Sequence, residues 1–135
     1  MRKFGLGLLL ASPLAIAADG SWSSQSFGGT LTLGQQVLKS KPVQSASPLP
    51  AGVVATRVNW KIRTDGLTPI GFRIRLCSAT QCLILPGYNG ELALPAGMPA
   101  AGPFRFEYYS TAGGRFDSPL TVLSNQVTVS YRHRR

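Results

Sequence analysis

Cys77 and Cys82 are the only cysteines of a 135-residue chain, and a pair at this spacing can serve as a metal clip, a redox couple or a staple. Zinc takes about four ligands, and the one further candidate, the single histidine His133, stands in the C-terminal RHRR. A redox couple wants Cys-x-x-Cys near a helix N-terminus, whereas here Ser-Ala-Thr-Gln separates two runs that alternate like strands. The terminal histidine also leaves no Ser/His/Asp or Cys/His arrangement on a rigid element. Beyond Asp19 near the start and Asp65 in a turn, a glycosidase-type carboxylate pair has only Glu91, Glu107 and Asp117 to draw on. No glycine-rich phosphate loop follows a strand and opens a helix. This inventory predicts a protein that is not an enzyme and holds no cofactor or metal.

The compartment decides what the cysteines do. The start, MRKFGLGLLLASPLAIAADG, has two cations, an apolar run from Phe4 to Ile16 and small residues at Ala15 and Ala17, the three-part plan of a cleaved secretory signal ending at Ala17. A membrane anchor needs about 18 continuous apolar residues, and this run of about 13 is broken by Ser12 and Pro13. Nothing after Ala18 is long and apolar enough to span a bilayer, and the bare Ala-x-Ala site predicts a Gram-negative periplasm. The rest of the chain is one domain by length, residues 18–131, with a basic tail over 132–135. Of the 14 Lys and Arg, Arg2 and Lys3 leave with the signal, so 12 face 5 carboxylates, a net charge of +7. An exported basic protein meets no nucleic acid. Its acidic partners are lipid head groups, cell-wall carboxylates or an acidic protein face, unless the charge serves solubility alone.

The elements that must position these residues are strands. In VVATRVNWKIR, Val53 to Arg63, one face carries Val54, Thr56, Val58, Trp60 and Ile62 and the other Arg57, Asn59, Lys61 and Arg63, a period of two. TDGLTP turns the chain. From Ile70 to Cys77 the alternation resumes, with Ile70, Phe72, Ile74 and Leu76 inward and Arg73, Arg75 and Cys77 outward. Cys82 to Leu85 returns, and further strands are expected over Thr30–Leu38, Glu91–Leu94, Phe104–Tyr109, Leu120–Leu123 and Gln126–Tyr131. No window of about 11 residues keeps a helical stripe free of Gly and Pro. Seven or eight short strands with turn signals between them predict an all-β fold, an antiparallel Ig-like β-sandwich, with a small β-barrel as the alternative. Lys39–Gly52 and Leu94–Pro103 read as long loops, functional or simply crossing between sheets.

Placed on either side of a four-residue hairpin loop, Cys77 and Cys82 stand opposite each other, close enough for a disulfide in an oxidising compartment. A ring this small stabilises by about 2 kcal/mol, enough to hold a hairpin register. By parity Arg57, Lys61, Arg63, Arg73 and Arg75 share the side of Cys77, and pairing of the two strands would merge them into one basic stripe. Like charges opposite each other repel, so such a stripe is either a partner-binding surface or a solvated face with offset register. Trp60 belongs to the core face; Trp22, in GSWSSQSFGG, is core, sugar-stacking platform or partner contact.

Two blocks, VNWKIRTDGLTPIGFRIRLCSATQC and GGRFDSPLTVLSNQVTVSYR, together with the signal and Gly20–Trp22, resemble the flagellar FlhE family in the order and spacing of a Trp strand, a Thr-Pro turn, an Arg-x-Arg-Leu-Cys-Ser hairpin and a closing Ser-Asn-Gln-Val strand. The Pro-rich loops and the region from Leu83 to Pro103 match poorly. The resemblance implies a periplasmic, non-enzymatic accessory or chaperone of the flagellar type III export and assembly system, associated with limiting proton leak, guarding rod assembly and supporting swarming motility. Rod, hook or export-gate proteins are the partners it implies. Two other classes stay open. A peptidoglycan- or carbohydrate-binding module would use Trp22, Tyr88 and Tyr109 as platforms. A pilus-type chaperone or subunit would leave a hydrophobic strand at Leu120–Leu123 or Gln126–Tyr131 free at a sheet edge.

Overall fold

The structure, a computed structural model, describes residues 19–133; the expected signal segment and the last two residues of the basic tail lie outside the described residues. The described residues form nine strands in chain order: β1 Gly20–Ser26, β2 Gly29–Leu33, β3 Leu38–Lys39, β4 Val53–Asp65, β5 Phe72–Cys77, β6 Cys82–Leu85, β7 Asn89–Ala93, β8 Arg105–Ser110 and β9 Arg115–His133. They form two antiparallel sheets. In the first the order is β1-β9-β4-β7, with β2 also on β9; in the second it is β3-β8-β5-β6. The sheets face each other without closing into a barrel, so the sandwich is the fold. Among the described residues, no helix is long and apolar enough to cross a membrane.

Alternation puts Val58, Trp60 and Ile62 of β4 and Val127 and Val129 of β9 against Ile74 and Leu76 of β5 and Phe106 and Tyr108 of β8, in one core. Trp60 is 1% exposed, and its indole N–H donates to the Gly87 carbonyl at 2.8 Å, which meets the one polar need of a buried indole. Three departures from the sequence reading have structural causes. The expected Thr30–Leu38 strand is cut in two at Gly34–Gln35, where Gln35 takes a φ of 65°. Leu120–Leu123 and Gln126–Tyr131 are parts of one strand, β9, whose register with β4 shifts between Arg63 and Thr64. β1 was not expected, because GSWSSQS lacks an apolar alternation; its pairing along β9 from Tyr131 to Asn125 supplies the order instead.

The loops at one end of the sandwich are stitched together. Gly34 N–H donates to Gly114 O, Gln35 N–H to Ser110 O and Thr111 N–H to Gly71 O. Gly71, at a φ of 71°, sits where a Cβ would lie 2.3 Å from Thr111 Oγ1, so only glycine lets the β4–β5 loop close on the β8–β9 loop. Ile70, expected inward, belongs to this loop and is 85% exposed.

Candidate partner-docking surfaces

The β5–β6 hairpin brings Cys77 opposite Cys82, and the two are joined in a disulfide with Cα atoms 4.0 Å apart. Ser78 N–H donates to Gln81 O, and Ser78 Oγ accepts from Thr80 and Gln81 N–H. These bonds tighten the turn that the staple closes. A Glu107 oxygen lies within 4.8 Å of both sulfurs. The cysteines are bonded to each other, so no thiolate remains to make this cluster a metal site.

The single basic stripe is not formed, because β4 and β5 do not pair. β4 lies beside β9 and β7 in the first sheet and β5 beside β8 and β6 in the second, so the chain between them crosses from sheet to sheet. Arg57, Lys61 and Arg63 therefore stand on the outer face of the first sheet, and Arg73 and Arg75 on the outer face of the second, with the core between. Separation also relieves the like-charge repulsion that one stripe would have suffered.

Each face has its own electrostatics. On the first, Arg57 pairs with Glu91 of β7, while Lys61 and Arg63 stand opposite Gln126 and Ser124 of β9. On the second, the Arg75 guanidinium donates to Glu107 Oε1 at 2.8 Å through Nε and lies 2.7 Å from it through Nη2, and it sits 5.1 Å above the Tyr109 ring. Among the described residues, Arg73 donates only to its own neighbour, Phe72 O, at 3.0 Å. Two further cations flank Glu107 there: Lys39, opposite it across β3–β8, and Arg105, opposite Cys77. The alternation of FRFEYY carried the signal for Arg105; Lys39 fell in a segment read as loop.

The remaining candidates move inward or apart. Trp22 is 9% exposed, stacks on Phe104 at 6.1 Å and donates to Ala100 O at 2.7 Å, so its ring is a core anchor with no face to offer a sugar or a partner. Tyr88 packs on Phe72 and bonds Thr68 at 2.6 Å, and Tyr109 lies under Arg75. Glu91 and Glu107 occupy opposite outer faces, each paired to an arginine, so they do not assemble as a glycosidase pair. β9 is central and paired on both sides, so the free edge that a pilus-type chaperone or subunit would show at this strand is absent.

The chain is an antiparallel β-sandwich with exposed cations on both outer sheet faces and a disulfide-closed edge hairpin. The family model described as "Flagellar protein FlhE" matches residues 28–132, and the chain belongs to the FlhE family. A flagellar protein FlhE from Salmonella typhimurium is 38% identical over 132 residues, 98% of this chain and 100% of that protein. One from Escherichia coli is 37% identical over 126 residues, 92% of this chain and 95% of that one. A crystal structure of FlhE superposes with a TM-score of 0.77 at 38% identity, covering 86% of this chain and 99% of the other. The family is one of flagellar proteins, not a known enzyme family.

Proposed function

We propose that this FlhE-family protein is a non-enzymatic periplasmic accessory or chaperone of the flagellar type III export and assembly system. It limits proton leak, guards rod assembly and supports swarming by docking onto an acidic face of a rod, hook or export-gate protein. Family membership supports the flagellar part. The docking part rests on one observation: Lys61, Arg63 and Arg73 are exposed and in none of the ion pairs among the described residues, which are Arg57–Glu91 and Arg75–Glu107. Unspent cations on a rigid sheet raise the local concentration of an acidic partner and orient it.

The test is photo-crosslinking in flagellated cells that carry this protein in place of their own, with the probe at Lys61, Arg63 or Arg73 in turn. Capture of a rod, hook or export-gate protein is expected, from one sheet face and not the other. Capture of peptidoglycan fragments alone would replace this reading with wall binding, and capture of nothing flagellar at any position would end it.

A further inference from the structure

The edge strand β6 is shorter than the strand it pairs with. It ends at Leu85, opposite Ile74, where Pro86, which has no N–H and a fixed φ, turns the chain towards the other sheet. β5 runs on past this point to Arg73 and Phe72. Ser78 N–H bonds Gln81 O, so the adjacent Cys77–Cys82 pair is of the non-hydrogen-bonded kind. Its short Cα separation of 4.0 Å agrees. Counting back along the ladder, Leu76 and Ile74 bond to β6, and Phe72 directs its N–H and C=O to that same side. Gly71, one residue earlier, bonds the opposite way, its carbonyl accepting from Thr111 N–H. The position that would face Phe72 is Gly87, which has left the strand and gives its carbonyl to the Trp60 indole.

A vacant strand position is the result. The Phe72 carbonyl is met by the guanidinium of Arg73, a side-chain substitute for the missing neighbour. A cleft of about 550 Å³ opens there, with Pro69 on the loop side and Ile84, Pro86 and Tyr88 on the other; Arg73 is the one charged side chain in its lining. Ile84, on the strand that ends at the cleft, is 59% exposed, and Ile70, on the loop beside it, is 85% exposed. Main-chain donors and acceptors, apolar walls and one unspent cation without a carboxylate are what an extended acidic peptide needs.

We propose that this cleft takes a short extended segment of a partner protein as an added strand beside Phe72, with an Asp or Glu of the segment held by Arg73 and an apolar side chain against Ile84 and Pro69. Arg73 leaves the Phe72 carbonyl for the carboxylate, and a main-chain N–H of the segment takes its place. The inference deepens the docking reading and rests on it only for the identity of the partner.

The experiment is an amide NMR titration of the mature protein with an acetylated and amidated peptide of alternating aspartate and valine, beside its lysine–valine counterpart and an aspartate–valine peptide N-methylated at alternate residues. The aspartate peptide is expected to shift the Phe72, Ile84 and Gly87 amides and the Trp60 indole, and to slow exchange of the Phe72 amide; the other two are expected to leave them unmoved. Arg73→Glu should weaken the aspartate peptide about tenfold or more and admit the lysine peptide. Equal response to all three peptides, shifts confined to the Lys61 and Arg63 face, or the same shifts from acetate alone would overturn the proposal. So would the same shifts from raising the protein concentration alone, because the occupant would then be a second copy. A cleft that binds the peptide while crosslinking in cells finds no flagellar protein would end the flagellar reading and leave this one standing.

Discussion

Asn125 and Tyr108 form a buried polar link between the two sheets. The Tyr108 hydroxyl, reaching from the second sheet, donates to Asn125 Oδ1 of the first at 2.6 Å. Asn125 Nδ2 donates to the Ser26 carbonyl and to Ser26 Oγ at 3.0 and 2.7 Å, and Ser26 Oγ donates to Lys41 O at 2.9 Å. One buried amide thus ties both sheets and the loop after β3. Asn125→Ala strands the tyrosine hydroxyl in the core and should cost about 1–3 kcal/mol by chemical denaturation. Burial, with a smaller contribution from Tyr88, holds the Tyr108 hydroxyl above its ordinary pKa of 10.0. The folded value is the higher, so the stabilisation is fully present below about pH 10 and is lost as pH rises beyond it, when the unfolded chain releases a proton that the native state keeps. Tyr108→Phe should therefore show a shallower alkaline loss of stability than the parent, and parallel curves would mean that the hydroxyl is not protected. The Asn of the Ser-Asn-Gln block was visible as a motif in the sequence; its task was not, because nothing local says which side chain meets it across the core.

Among the strands, the hairpin was legible and the sheet assignment was not. Two alternating runs around a short Cys-x4-Cys turn carry their own register, and the observed pairing of Cys77 with Cys82 follows from it. The staple matters because β6 is a four-residue edge strand that has only β5 to hold it. Replacing both cysteines by serine should cost about 2 kcal/mol and speed amide exchange in β6 while β9 stays protected. Equal loosening of β9 would show that the bond supports the whole sandwich. The order of β4 and β5 had no such local mark. A turn signal between two alternating strands reads the same whether the chain folds back beside itself or crosses to a facing sheet, and this chain crosses.

Across the sandwich as a whole, division of the cations between two outer faces replaces one strong field with two weaker ones. Binding through a single face should then respond to Lys61→Glu with Arg63→Glu, or to Arg73→Glu, but not equally to both. The affinity should fall as salt rises, because exposed charges are screened; capture by a purified rod, hook or gate component at two ionic strengths measures it. Equal loss from either reversal would point to a partner that wraps the sandwich. Local chemistry written along the chain was enough to set the period-two alternation, the turn residues, the cysteine register, the core side of Trp60 and the excess of positive charge. Which strands are neighbours, where Trp22 lies, which arginines meet a carboxylate and where β5 outruns its partner depend instead on the folded arrangement. Those properties belong to pairs of segments far apart in the chain, and their energies exist only once the two sheets have closed over a common core.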